Sequence, residues 1–106
     1  MIVSFADNDT FAFHRGDATT AFAEVAQLAG SKLDQLDAAT DVRDVNRPSN
    51  HMQIVRKHRR RGRRWLIPLT GDWGVGFEWP PGSGGPVMVG VVGPPWMPPE
   101  PAMAVA

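Results

Sequence analysis

The sequence predicts an α+β domain in which two N-terminal helices pack on a small antiparallel β-sheet. In the first third of the chain, apolar residues recur at spacings of three and four, which is the period of an α-helix. From residue 65 onward the period changes to two, and turn residues separate the alternating runs, as expected for strands. Helices followed by a meander of strands are typical of the α+β class.

Two helices are predicted before residue 38. The first extends from Asp7 to Arg15, has an acidic start and stops before Gly16. Asp17 can cap a second helix that runs to about Asp37. Six apolar residues with helical spacing form one stripe on this helix: Phe22, Val25, Ala26, Ala29, Leu33 and Leu36.

Alternation and turn chemistry predict four strands, at residues 2–5, 65–69, 73–79 and 86–92, with a connector at residues 38–50. Pro68 has no backbone donor, so its strand is expected at an edge of the sheet or bulged there. The strand 73–79 has one face of large residues, which we expect beneath the helices, and one face of nearly bare backbone. The large residues are Trp73, Val75, Phe77 and Trp79, and Gly74, Gly76 and Glu78 share the other face.

The composition is that of one globular domain, with 42 % hydrophobic and 21 % charged residues among 106. The absence of cysteine excludes disulfides and thiolate metal sites. Three histidines scattered along the chain do not suggest a metal site, so no cofactor is expected. The N-terminus has no basic region of a signal peptide, and Pro and Gly interrupt the longest uncharged stretch. We therefore expect a cytoplasmic protein without a membrane segment, with a domain at residues 1–92 and a flexible Pro-rich tail at residues 93–106.

The densest feature of the chain is a basic run from Arg56 to Arg64, which holds seven of the eleven Lys and Arg residues. The chain is formally neutral, but residues 1–45 carry eight acids and three bases, whereas residues 46–71 carry eight bases and no acid. A surface of this kind neutralises phosphates, and its many arginines suit bidentate phosphate contacts and base stacking. The alternatives are a solvated loop that aids solubility, or pairing with an acidic partner or with the acidic N-terminal half.

Two further residues of this region are candidates for chemistry beyond charge. Trp65 follows the arginines and can stack on a base, with core packing as the alternative. His58 can transfer a proton, with an ordinary surface histidine as the alternative. The predicted RNA-binding residues are Arg56, Lys57, Arg59, Arg60, Arg61, Arg63, Arg64 and Trp65, and the predicted catalytic residues are Arg56 and His58.

Several segments of residues 1–92 recur in the order and spacing of a known family. They are Met1–Phe5, Lys32-Leu33, Leu36–Thr40, Arg43-Asp44, Pro48, Asn50, Asp72–Trp79 and Pro86–Val92. Together they resemble the HigB-type killer toxins of the RelE superfamily, which belong to bacterial type II toxin–antitoxin systems. In that family the segment matched by residues 72–79 reads Gln-Trp-Arg-x-x-Phe-x-Trp.

The resemblance implies a RelE-like fold whose concave sheet face meets mRNA in the ribosomal A site. It implies an mRNA interferase, a metal-independent endoribonuclease in which the ribose 2′-hydroxyl attacks the adjacent phosphate. It also implies a helix-turn-helix antitoxin, HigA-like, as the neutralising partner. The first hypothesis is therefore a toxin-like component that binds RNA or the ribosome and cleaves mRNA in a translation-dependent way.

The chain departs from the family pattern at positions where catalytic side chains are expected. The family's lysine after the Asn-containing segment corresponds to Arg56, which retains the charge. The strand arginine corresponds to Gly74, an upstream arginine to Pro68, and the C-terminal Asp-Tyr-His to residues 93–95, which are Gly-Pro-Pro. The alternative hypothesis is a catalytically inactive RelE-like interaction protein that binds an antitoxin or nucleic acid.

Overall fold

The computed structural model of the protein describes residues 1–17, 22–58 and 62–93, with the backbone alone at 55–58 and 62. Three predictions lie wholly or mainly outside the described residues: the start of the second helix, the contacts of Arg59, Arg60 and Arg61, and the Pro-rich tail. Within the described ranges, no helix has the length and apolar character needed to cross a bilayer.

The described residues form two α-helices and one four-stranded sheet, with short 3-10 helices between them. The sheet is antiparallel throughout and its strands follow chain order, β1-β2-β3-β4. This confirms the predicted α+β class with two helices and a small antiparallel sheet. The elements are α1 (Asn8–Arg15), α2 (Ala26–Ala38), β1 (Gln53–His58), β2 (Gly62–Pro68), β3 (Gly74–Glu78) and β4 (Val87–Val92).

Local chemistry sets the ends of α1. The Asp7 carboxylate accepts a hydrogen bond from the Thr10 N–H at 2.7 Å and caps the first turn. Gly16 ends the helix with a φ of 102°, a left-handed conformation that glycine adopts without strain. Within the described residues, a 3-10 helix at Ala23–Val25 directly precedes α2.

One face of the sheet packs on the apolar stripe of α2, which is buried as predicted at Phe22, Val25, Ala29, Leu33 and Leu36. Burying a side chain of this size contributes about 1.5–3 kcal/mol. The predicted core positions of Trp73 and Trp79 are confirmed, since both pack against this core. The sheet contributes Ile67, Val75, Phe77, Val89 and Val91.

The segment predicted as a first strand forms a single parallel bridge, between Phe5 and Val89, beside β4. The Val3 N–H donates to the Pro86 carbonyl at 2.8 Å, and the Ala6 N–H donates to the Val89 carbonyl at 2.8 Å. The N-terminal segment therefore covers the outer edge of β4, although it is too irregular to be a strand.

Candidate nucleic-acid interface

The basic run forms a β-hairpin at the opposite edge of the sheet. Its first part ends β1 and its last part begins β2, with residues 59–61 between the two strands. The described part of the run is therefore not a loop, because residues 56–58 and 62–64 are paired strand residues. The expectation that the strand of Pro68 lies at an edge or is bulged there is wrong, because β2 is an inner strand and pairs regularly with β3 at Pro68. The missing N–H is tolerated because Pro68 lies beyond Leu66, the last residue of β2 that pairs with β1.

Two neighbouring rungs of the hairpin each join residues of the same charge. Arg56 lies opposite Arg64, and Lys57 lies opposite Arg63. The backbone ladder thus gathers four basic residues within two rungs at this edge of the sheet.

The two faces of the hairpin differ. Successive residues of a strand point to opposite faces, so Arg63 and Trp65 belong to the helix side and Arg64 belongs to the other side, here called the open face. The Arg63 side chain is exposed, and its guanidinium carbon lies 5.9 Å from the centre of the Trp65 ring. No described residue forms an ion pair with Arg63. Arg63 therefore presents a cation to solvent, while Trp65 is half-buried against the core.

Arg64 lies in different surroundings, although it is the next residue. Its Nη1 is 3.6 Å from Oε2 of Glu78 and donates to the Met88 carbonyl at 3.0 Å. The side chains of Arg64 and Glu78 are only 16 % and 7 % exposed. Their ladder positions are directly opposite, so the ion pair joins β2 to β3. Arg64 is thus held against the sheet.

The expectation of a bare open face is wrong, because side chains of β2 lie over the glycines of β3. A Cβ at Gly74 would stand 2.8 Å from Cδ1 of Leu66, and a Cβ at Gly76 would stand 2.7 Å from Nη2 of Arg64. Leu66 is 2 % exposed. The two glycines therefore make room for an apolar side chain and for the guanidinium of the ion pair.

The ladder places both predicted catalytic residues in β1. Arg56 pairs with Arg64, and His58 pairs with Gly62 beside the end of the hairpin. The side chains of both lie outside the described part of the structure. Arg64 and Glu78, opposite each other on β2 and β3, share one face of the sheet. Glu78, on that face, is a titratable residue that the family resemblance did not identify. The only indication in the sequence was its alternation with Gly74 and Gly76, which predicts that the three residues share a face of the strand.

The residues that carry the family resemblance before the hairpin hold the connector on α2. Lys32 Nζ donates to Oδ1 of Asn50 at 2.7 Å. Asn50 Nδ2 donates to Oε1 of Gln35 at 3.1 Å and to the Val45 carbonyl at 2.7 Å. Asn50 is 1 % exposed, and β1 starts three residues later. This network fixes where the chain enters the hairpin.

A capping box organises the same connector at the 3-10 helix Val42–Asp44. The Arg43 N–H donates to Asp41 at 2.9 Å, and this backbone hydrogen bond is the main cause that holds the pKa of Asp41 below its ordinary value. The Thr40 N–H donates to Asp44 at 2.9 Å and likewise lowers the pKa of that carboxyl. Arg43 also pairs with Asp41, so this basic residue is already engaged locally.

The fold and the hairpin define a small α+β domain with a basic sheet edge. A comparison of the chain with models of protein families and with curated proteins found no match in either. The described residues contain no group of three or more side chains suited to hold a metal ion.

Proposed function

We propose that the protein is a RelE-like toxin component of a type II toxin–antitoxin system and binds RNA or the ribosome through its basic hairpin. The observation that carries the proposal is the exposed guanidinium of Arg63, which has no ion-pair partner among the described residues and lies beside the Trp65 ring. A cation presented to solvent next to an aromatic ring suits a phosphate and a base. In sequence, the run from Arg56 to Arg64 holds seven Lys and Arg residues, which matches the several consecutive phosphates of RNA.

RNA fits this hairpin better than an acidic protein does. Arg63 and Trp65 combine a guanidinium with an aromatic ring at 5.9 Å, and single-stranded nucleic acids bind through cations together with aromatic faces. An acidic protein would use the charge alone. A helix-turn-helix antitoxin remains the proposed neutralising partner.

The neighbouring arginines of β2 provide a matched test of RNA binding. In Arg63→Ala, we expect weaker binding of a single-stranded oligonucleotide and a plot of log affinity against log salt that is flatter by about 0.7, with unfolding unchanged. In Arg64→Ala, we expect the same slope as the wild type but lower stability, because Glu78 would lose a partner and removing one partner of a buried pair costs up to ~3–5 kcal/mol. An unchanged slope in Arg63→Ala would exclude this part of the hairpin from the interface.

The catalytically inactive interaction protein is the second candidate function. It is favoured by Leu66, which lies over Gly74 where the family has an arginine. A single general acid or base contributes about 10²–10⁴-fold, so cleavage without the family's side chains is expected to be slow. Any remaining activity would rely on Arg56 and His58.

Induction of the protein in a bacterium separates the two candidates. Growth arrest with mRNA cut inside translated frames is expected of the toxin, and both effects should weaken in His58→Ala. Normal growth with intact mRNA, from a protein that still binds RNA in vitro, is the result expected of the inactive interaction protein.

A further inference from the structure

The helix side of the sheet carries an exposed apolar surface at β1. Met52, just before this strand, packs against the core, whereas Ile54 is 43 % exposed. Ile54 lies directly opposite Trp65 in the ladder, so the two side chains are on the same face of the sheet. Trp65 packs against the core but is only half-buried. Ile54 and Trp65, here called the apolar rung, therefore form one accessible apolar surface at the edge of the sheet.

A cation lies beside the apolar rung. Arg63 is two residues from Trp65 in β2, so the two residues share a face. The guanidinium carbon of Arg63 is 5.9 Å from the centre of the Trp65 ring, near the ~6 Å limit of a cation–π contact. No described residue forms an ion pair with Arg63. One ligand can therefore contact the cation and the apolar rung together.

The combination of groups indicates the chemistry of that ligand. A phosphate alone would use only Arg63, and an apolar ligand would leave the cation unpaired. A nucleotide of single-stranded RNA carries an anionic phosphate and a flat base, and unpaired bases stack on aromatic side chains. The flat ring of Trp65 favours such a base over an acidic segment of a protein.

We propose that the apolar rung and Arg63 bind one unpaired nucleotide of RNA, with its base on Ile54 and Trp65 and its phosphate on Arg63. This inference rests on the proposed RNA binding of the hairpin, and it adds Ile54 as a residue that contacts the base. The affinity for RNA then depends on bases as well as on charge. Because every base has a flat face, the position accepts any of the four bases, provided that the base is unpaired.

The test compares an oligouridylate with a ribose-phosphate chain of the same length and charge that lacks bases. The wild type should bind the oligouridylate about tenfold more tightly, which is the size of one stacking contact. Ile54→Thr keeps the branched side chain but removes apolar surface, and it should weaken oligouridylate binding about fourfold. Its affinity for the chain without bases and its plot of log affinity against log salt should keep the wild-type slope and value, because no phosphate contact is lost.

Val3→Thr is the matched control. It makes a similar change at a 58 % exposed position, in the segment that covers the opposite edge of the sheet. Its affinities for both chains should equal those of the wild type. Equal losses of oligouridylate affinity in Ile54→Thr and Val3→Thr would overturn the assignment of Ile54.

The wild-type comparison requires no variant and separates this inference from the proposed function. If the wild type binds both chains equally well, the nucleotide position is refuted, RNA binding through charge stands, and the apolar rung is left for a protein partner. If the wild type binds neither chain, the proposed function itself fails.

Discussion

At the scale of single residues, a missing side chain decides what occupies the open face. Gly74 and Gly76 leave space above β3, and the side chains of Leu66 and Arg64 fill it from the neighbouring strand. The two glycines thus create a packed surface. Position 74 is consequently a packing position in this chain.

Gly74→Ala should destabilise the protein by about 1–3 kcal/mol, because the new methyl group overlaps the Leu66 side chain and forces it to move. Denaturant unfolding measures the change. In a double-mutant cycle, Gly74→Ala should destabilise the Leu66→Ala protein much less than it destabilises the wild type. If the two changes in unfolding free energy simply add, the methyl group introduced at position 74 does not meet the Leu66 side chain. Gly84→Ala is the control, since nothing lies near a Cβ there.

Asn50 is the second residue whose role is structural. Asn50→Ala should cost about 1–3 kcal/mol, because it removes three side-chain hydrogen bonds of a buried residue, those with Lys32, Gln35 and the Val45 carbonyl. Asn46→Ala, at an exposed position of the same connector, should stay within about 0.5 kcal/mol of the wild type. Equal unfolding free energies for the two variants would show that the network adds no stability.

At the scale of elements, β1 is the strand that sequence patterns missed. Its last three residues are charged or titratable and offer no apolar alternation, so the usual indication of a strand was absent. Pairing with β2 supplies the backbone hydrogen bonds that make the segment extended. Because the run is part of paired strands, its adjacent residues Arg63 and Arg64 lie on opposite faces of the sheet, in different surroundings.

The capping box predicts a pH dependence that belongs to the connector. The lowered pKa of Asp44 means that its carboxylate contributes stability above the unfolded value of about 3.9, and that this contribution disappears as the pH falls through the folded value. In Asp44→Asn, the melting temperature should therefore fall less steeply with pH below about 4 than in the wild type. Asp34→Asn, an exposed position of α2, should retain the wild-type dependence. Parallel curves for all three proteins would contradict the assignment.

At the scale of the whole molecule, the sheet has two unlike edges. The N-terminal segment covers the edge at β4 through Val3 and Ala6, whereas β1 forms the other edge with the basic hairpin. The acidic first half of the chain supplies both helices, and the basic part supplies the hairpin. The charge asymmetry of the sequence is thus an asymmetry between elements of the fold.

The core sets the extent of the domain, since its buried residues run from Ile2 to Val91. A protein that ends at Gly93 should therefore unfold cooperatively, with a melting temperature within a few degrees of the full chain. Thermal unfolding by circular dichroism measures this. A broad or strongly lowered transition would show that residues 94–106 contribute to the folded domain.

Local pattern was sufficient for α1, the C-terminal part of the predicted second helix with its apolar stripe, the core tryptophans and most of β2, β3 and β4, because periodicity and capping depend on near neighbours in the chain. It was sufficient also to identify the basic run. The tertiary structure decided which of its two arginines with a described side chain, Arg63 and Arg64, is exposed. Arg63 and Arg64 are adjacent and identical in type, but the pleat sends them to opposite faces, and only one meets Glu78, fourteen residues further along the chain. Register across strands is a long-range property, so no local pattern contains it.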